Sequence, residues 1–271
     1  MPELPEVETT LRGIEPYISN KKIKQINIYQ PKLRWPIEKN LNSLLSGKKV
    51  LNLQRRGKYI IIEFSNGNLL LHLGMSGSLR ILGNDTPLEK HDHFEIIINQ
   101  KTILRLRDPR RFGAVIWTDE DWQEHKLIKN LGPEPLSNNF NADYLFKKSR
   151  NKRVAIKSFI MDGHIVVGVG NIYASESLFR AGIHPTRQTQ RVSKARFEKL
   201  VIVIKEVLKK AISEGGTTLK DFTNAEGKPG YFTQQLNVYG KEKEPCPICS
   251  TPIKQKIIAQ RATYYCSQCQ R

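Results

Sequence analysis

The chain has 271 residues, 39% of them hydrophobic, and carries 44 Lys plus Arg against 26 Asp plus Glu, a formal charge of +18. That length supplies one large domain or two ordinary ones, and the charge asks for a polyanionic partner, nucleic acid before membrane. No run reaches the roughly 18 apolar residues of a transmembrane helix, the N-terminus is too acidic for a signal peptide, and all four cysteines fall after Pro245, which excludes a chain-wide disulfide framework. A cytoplasmic, reducing compartment fits these features.

The opening, Met1-Pro2-Glu3-Leu4-Pro5-Glu6, admits two readings. Pro2 and Pro5 suit the start of a helix. Alternatively, removal of Met1 leaves Pro2 as a free secondary amine, titrating near ~8 and able to attack an electrophilic carbon, with Glu3 beside it as general acid. Val7, Leu11, Ile14 and Ile18 predict a helix over 5–18. Strands follow. Residues 22–29 alternate, 59–64 and 68–72 flank Ser65-Asn66-Gly67, and 94–98 and 102–106 flank Asn99-Gln100-Lys101. The first 130 residues therefore read as a β-sandwich or barrel with a leading helix.

Several residues in this half carry chemistry or have a plainer explanation. Lys58, in Arg55-Arg56-Gly57-Lys58-Tyr59, is a solvated strand-end lysine or an amine near Pro2. Met75 lies on a loop between Gly74 and Ser76-Gly77. His91-Asp92-His93 lacks further metal-ligand spacing and reads as a hydrogen-bonded or phosphate-contacting pair. In Asp108-Pro109-Arg110-Arg111-Phe112-Gly113, Phe112 is either core or a wedge for a base stack, held by neighbouring arginines.

Character changes at Gly132-Pro133-Glu134-Pro135, which reads as a linker. Helical segments are expected at 154–161 and 172–179, joined by Gly168-Val169-Gly170-Asn171. Those glycines either cap a plain helix, with Asn171 as N-cap, or bring amides to a phosphate. The basic run from Lys147 through Lys152 to Lys157 reads as a phosphate-tracking surface. Phe197, Leu200, Val201, Ile204, Val207, Leu208 and Ala211 form one apolar stripe, stopped by Gly215-Gly216. Residues 217–232 show no period and read as a long functional loop.

Cys246-x-x-Cys249 and Cys266-x-x-Cys269 are a strong signal for one structural zinc ion bound by four thiolates. A closed set of four leaves no open position for catalysis. The metal would stiffen a hairpin too poor in apolar residues to fold alone. Its tip falls near Ala259-Gln260-Arg261-Ala262, and Arg261 suits a phosphate.

With these motifs in view, the sequence resembles bacterial formamidopyrimidine-DNA glycosylase. The resemblance runs nearly end to end, through Pro2–Glu6, Arg56–Tyr59, His72–Gly77, Lys90–His93, Asp108–Gly113, Gly168–Tyr173 and Gln260–Thr263. It implies an α+β fold in three parts: an N-terminal β-sandwich catalytic domain over 1–132, a helix-two-turn-helix domain over 133–236 and a zinc finger over 237–271. It implies a monomer that finds oxidised purines opposite cytosine in double-stranded DNA, at the nucleoid and without a membrane. The enzyme would flip the lesion out of the stack and remove it through a Pro2 Schiff base, then cut the strand by β- and δ-elimination. Pro2, Glu3, Lys58 and Arg261 would be catalytic and Glu6 a supporting pocket carboxylate. Met75, Arg110 and Phe112 would fill the void, Arg110 facing the orphaned cytosine. Asn171 and Arg261 would clamp phosphates, with His91 and Lys152 as further DNA contacts.

Two positions depart from the resembled pattern. Gly163 follows Asp162 where Asn or Gln is expected, and Ser250 follows Cys249 where glycine is usual. Two other functions compete. A sister enzyme class for oxidised pyrimidines usually begins Pro-Glu-Gly-Pro-Glu; Leu4, with Met75, Arg110 and Phe112, argues for purines. A non-catalytic zinc module would explain the charge and cysteines but not the joint occurrence of Pro2, Glu3 and Lys58.

Overall fold

The computed structural model describes residues 2–83, 85–216 and 235–271. Met1, whose removal a free Pro2 amine would require, and the loop expected at 217–232 lie outside the described residues. The chain forms two compact units. One runs to Lys129 and resumes at Glu214; the other comprises Asn130–Ser213 and the C-terminal residues through Arg271.

The first unit opens with helix α1, Leu4–Ile18. Pro5 is harmless in the first turn, where its missing N–H has no intrahelical acceptor. Leu4, Val7, Leu11, Ile14 and Ile18 face inward and are buried. Strands β1 (Gln25–Ile28), β6 (Asp92–Asn99), β7 (Thr102–Arg107) and β5 (Ser78–Leu82) form one antiparallel sheet in that order. Strands β2 (Asn52–Arg56), β3 (Tyr59–Phe64), β4 (Gly67–His72) and β8 (Ala114–Thr118) form the other. A short helix α2, Leu41–Leu45, precedes β2.

One hydrophobic cluster joins the two sheets and α1. It contains Ile60, Ile62, Leu69 and Leu71 from the second sheet, Phe94, Ile96, Leu104 and Leu106 from the first, and Val7, Leu11 and Ile14 from the helix. Each such side chain contributes about 1.5–3 kcal/mol on burial. This is the expected sandwich with its leading helix. The two expected hairpins form with two-residue connections, Phe64 pairing Gly67 and Asn99 pairing Thr102. Strands β2, β5 and β8 were not legible in the sequence, and all three are edge strands. An edge strand has one neighbour, so its sequence need not alternate cleanly: in β2 only Leu53 is buried.

The second unit is helical, with a terminal hairpin. Helix α3 is Ala142–Ser149, α4 Ile156–Met161, α5 Asn171–Ala181 and α6 Lys194–Ser213. The expected stripe of α6, from Phe197 to Ala211, is buried throughout. The segment read as a linker is anchored, since Gly132 N–H donates to Gly163 O at 2.8 Å and Val167 N–H to Pro133 O at 3.3 Å. Strands β9 (Lys254–Ile258) and β10 (Arg261–Tyr265) form the hairpin between the cysteine pairs. No described helix is long and apolar enough to cross a membrane.

Candidate functional site

In the first unit, Pro2 and Glu3 sit buried at the N-terminus of α1, Glu3 only 1% exposed. Glu3 is the N-cap, and its N–H donates to Glu6 Oε2 at 2.8 Å. Glu6, also buried, thereby holds Glu3 in place. The α1 dipole sets positive potential at this end, which favours a neutral amine over an ammonium.

Lys58 occupies the two-residue turn between β2 and β3, where Arg56 pairs Tyr59. Gly57 takes φ 59° as its first turn residue, which a side chain would resist. Arg55 braces this turn: its Nε donates to Glu8 Oε2 at 2.8 Å and its Nη1 to Gly57 O at 3.0 Å. His72, at the end of β4, stacks obliquely on Tyr59 at 4.8 Å. Burial, then the charges of Lys58 and Arg34, push His72 down to about 4, so it is neutral at pH 7. Its Nδ1 accepts from Gly74 N–H at 3.0 Å, which leaves the proton on Nε2 as a donor.

The three residues expected to fill a void come from two loops packed back to back. A Cβ on Gly74, at φ 61°, would lie 2.4 Å from the Phe112 carbonyl carbon. Hence the loop bearing Met75 touches the loop bearing Arg110 and Phe112. Asp108, fully buried, organises the second loop. Its carboxylate accepts from Gly113 N–H at 2.7 Å, from Arg110 N–H at 3.3 Å and from Ser76 Oγ at 3.3 Å. His91 joins the group through its carbonyl, which accepts from Asp108 N–H at 3.0 Å. Phe112 is 44% exposed with the Arg110 guanidinium 5.0 Å from its ring centre, so it is a presented aromatic and not core.

In the second unit, Asn171 is the first residue of α5, and Gly170 is the N-cap. The side chain expected to cap the helix is engaged elsewhere. Lys157 Nζ donates to Asn171 Oδ1 at 2.5 Å, and Asn171 Nδ2 donates to Ala262 O at 3.0 Å. Lys157 also donates to Thr263 Oγ1 at 2.7 Å and Ala262 O at 3.1 Å. This corrects the reading of the basic run as one phosphate-tracking surface. Lys157 is 1% exposed and ties α4 and α5 to the hairpin. Arg150 lies over the Phe146 ring at 4.1 Å and donates to Ser149 Oγ and Val192 O. Lys152 and Arg153 remain exposed on the turn after α3. Arg261 is exposed at the start of β10, directly after a turn in which Ala259 and Gln260 both take positive φ, 46° and 61°. Tyr239 joins this cluster, its hydroxyl 3.4 Å from Asn171 Nδ2 and its ring edge-on to Tyr264 at 5.1 Å. His72 and Tyr239 were not singled out from the sequence, and Lys157 was read only as the end of a basic run. His72 stood inside a quoted motif, whereas nothing local marks a buried lysine or a lone tyrosine.

The four cysteine sulfurs lie within 4.8 Å of one another. Their separations are 3.8 Å for Cys246–Cys269 and 3.5 Å for Cys249–Cys266 and Cys249–Cys269. Tetrahedral Zn–S bonds of ~2.3 Å need sulfurs about 3.8 Å apart, so the set fits one zinc ion. The ion is structural, closing a knuckle whose small apolar cluster comprises Cys246, Cys266, Ile253, Val238 and Phe179 of α5. Ser250 takes φ 60°, the conformation for which glycine was expected.

Family models match the formamidopyrimidine-DNA glycosylase N-terminal domain over residues 1–115, the H2TH domain of the same glycosylase over 131–223, and the zinc finger found in FPG and IleRS over 243–271. The formamidopyrimidine-DNA glycosylase of Alcanivorax borkumensis is 54% identical over 271 residues, covering all of both chains. A Lactococcus lactis FPG mutant solved with Fapy-dG-containing DNA superposes with a TM-score of 0.91 at 36% identity, covering all of both chains. The Lactococcus lactis Fpg solved with abasic-site DNA matches with a TM-score of 0.91 at 35% identity over 99% of each chain. The chain belongs to the formamidopyrimidine-DNA glycosylase family.

Proposed function

We propose that the chain is a bifunctional DNA glycosylase and abasic-site lyase of base-excision repair, acting on 8-oxoguanine and formamidopyrimidines in duplex DNA. The observation that carries the reading is the buried Pro2-Glu3 start of α1, in a family whose solved members include complexes with Fapy-dG and abasic-site DNA. With Met1 removed, the Pro2 nitrogen attacks C1′ of the extruded nucleotide and the bond from C1′ to the base breaks, the amine losing its proton as the departing base gains one. Glu3 delivers a proton to the sugar ring oxygen, and the ring opens to a Pro2 iminium. The iminium acidifies the C2′ proton. Loss of that proton to a base expels the 3′ phosphate, loss of the C4′ proton then expels the 5′ phosphate, and water hydrolyses the remaining imine to free Pro2.

The remaining residues position the DNA. Glu6 fixes Glu3, and Lys58 contacts phosphate and moves a proton. Met75, Arg110 and Phe112 occupy the gap left by the flipped base, with Arg110 donating to the acceptors of the orphaned cytosine. Asn171 and Arg261 hold the flanking phosphates, His91 and Lys152 extend the backbone contacts, and neutral His72 and Tyr239 offer further donors. Cys246, Cys249, Cys266 and Cys269 hold the zinc that keeps Arg261 presented. We assign catalysis to residues 1–132, helix-two-turn-helix binding to 133–236 and the zinc finger to 237–271, in a monomer working at the chromosome in the cytoplasm. Comparing strand cleavage of 8-oxoguanine:cytosine and thymine glycol duplexes tests the substrate. Faster cutting of the purine lesion is expected; preference for thymine glycol would move the chain to the pyrimidine class.

A further inference from the structure

At the far end of α1 from Glu3, the first unit opens a cleft of about 850 Å³. Lys21, Lys22 and Lys24 line one side and Lys101, on the β6–β7 turn, the other. The 15 residues of α1 span about 22 Å, so this cleft is distinct from the Pro2 end of the helix.

The lysines stand on a fixed backbone. Ile23 N–H donates to Lys48 O at 2.9 Å, Val50 N–H to Lys21 O at 2.9 Å and Lys24 N–H to Ile97 O at 2.8 Å. Ile23 is buried while Lys22 and Lys24 are exposed, so the extended alternation sends both lysines outward on one face. Lys49, bridged to Lys22, adds a further exposed cation. Among the described residues, no acidic side chain lines the cleft. None of these five lysines forms an ion pair among the described residues. Clustered like charges repel one another, and a bound polyanion relieves this by releasing its own counterions.

We propose that this cleft is a second DNA-backbone site, which takes phosphates of a duplex segment other than the one engaged at Pro2. The inference rests on the reading of the chain as a DNA glycosylase. Lysine is a compact point charge on a flexible stem, suited to following phosphates without reading sequence. Ile23 and Ile98 of the lining are buried at 1% and 8% exposure, so the exposed lining is mainly cationic and polar, with Pro16 and Tyr17 at one end. Tyr17, 42% exposed, adds a hydroxyl donor at the rim. Holding two segments at once lets the enzyme pass between them without full release.

The test uses the full-length, zinc-loaded protein and its Lys22→Gln/Lys24→Gln/Lys101→Gln variant. Short undamaged duplexes are titrated to find stoichiometry, and affinity is followed against salt. The wild type should bind two duplexes and the variant one. The slope of the summed binding constants should fall by about 2–3, at roughly 0.9 for each phosphate no longer neutralised. Single-turnover excision from a short lesion duplex should stay within twofold, while transfer between two lesion-bearing duplexes should slow several-fold. Unchanged stoichiometry and slope would overturn the proposal, as would a polyglutamate peptide that occupies the cleft without displacing DNA. The titration decides the cleft whether or not the lesion is cut; excision by the wild type separately decides the glycosylase reading.

Discussion

Arg55 donates to Glu8 at 2.8 Å and, through its other nitrogen, to the carbonyl of Gly57 at 3.0 Å. One guanidinium thus fixes the helix that begins at Glu3 to the turn that carries Lys58. Both side chains of the ion pair are largely shielded, 11% and 16% exposed. Arg55→Met should cost about 1–3 kcal/mol, because it leaves a half-buried carboxylate without its main partner. Denaturant unfolding checks this, and an unchanged midpoint would count against the brace.

The same pair predicts a pH dependence. Burial pushes the Glu8 carboxyl up, but hydrogen bonds and charge from Arg55, then Arg12, outweigh it and hold Glu8 below the usual carboxylate range. A depressed folded value means stability that is complete above the unfolded value, near 4.5, and lost as pH falls through the folded one. Thermal melts of Glu8→Gln and wild type should therefore differ most above 4.5 and converge as pH falls below it through the depressed folded value. A constant difference across that window would contradict the assignment.

Two glycines should respond oppositely. Gly74→Ala places a methyl 2.4–2.7 Å from the Phe112–Gly113 backbone at φ 61°. It should cost about 2 kcal/mol or more and displace the loop bearing Arg110 and Phe112, blurring any preference for cytosine opposite the lesion. Gly163 has no positive φ, and its added methyl would meet only Leu131 Cδ2 at 3.6 Å. Gly163→Ala should stabilise by about 0.4–1 kcal/mol through the unfolded chain. Differential melting of the two variants checks both signs.

The hairpin that presents Arg261 turns on two non-glycine residues in the left-handed region, Ala259 and Gln260. Such residues cost about 1–2 kcal/mol each. Replacing them with Asn-Gly, which suits a type I′ turn, should raise the hairpin's stability without altering its register. Slower zinc loss to a chelator would report the gain; unchanged loss would mean the turn is not a source of strain.

Removing the metal should unfold the hairpin while sparing the sandwich, whose core is supplied by its own sheets and helix. Cys246→Ser should weaken DNA binding and erase near-ultraviolet signals of Tyr264 and Tyr265. Wild-type affinity after chelation would refute the structural role.

The features most legible in the sequence were those with a local period or fixed spacing. The α1 face, the α6 stripe, both hairpins and the four cysteines all follow from neighbours within a few residues. The edge strands β5 and β8 were not legible because they pair with β7 and β4, distant in the chain, and β2, though joined to β3 by a short turn, buries only Leu53. Distance along the chain also hides Lys157. In sequence it extends a basic run, and only the arrival of Ala262 and Thr263, more than 100 residues later, makes it a buried donor. Asn171 follows suit, since a buried lysine and a distant carbonyl use the side chain that would otherwise cap α5. Of Pro2 and Glu3, the helix-entry reading is what the fold bears out, because Glu3 caps α1 and Pro5 lies in its first turn.

The central claim is that Pro2 is the nucleophile. The most direct measurement is borohydride trapping on an 8-oxoguanine:cytosine duplex, using protein shown by mass to lack Met1, with the adduct mapped by peptide mass spectrometry. The account predicts one covalent protein–DNA adduct located at Pro2, and none whenever Met1 is retained. An adduct at Lys58 or another lysine, or no adduct from Met1-free, zinc-loaded protein that binds the duplex, would contradict it.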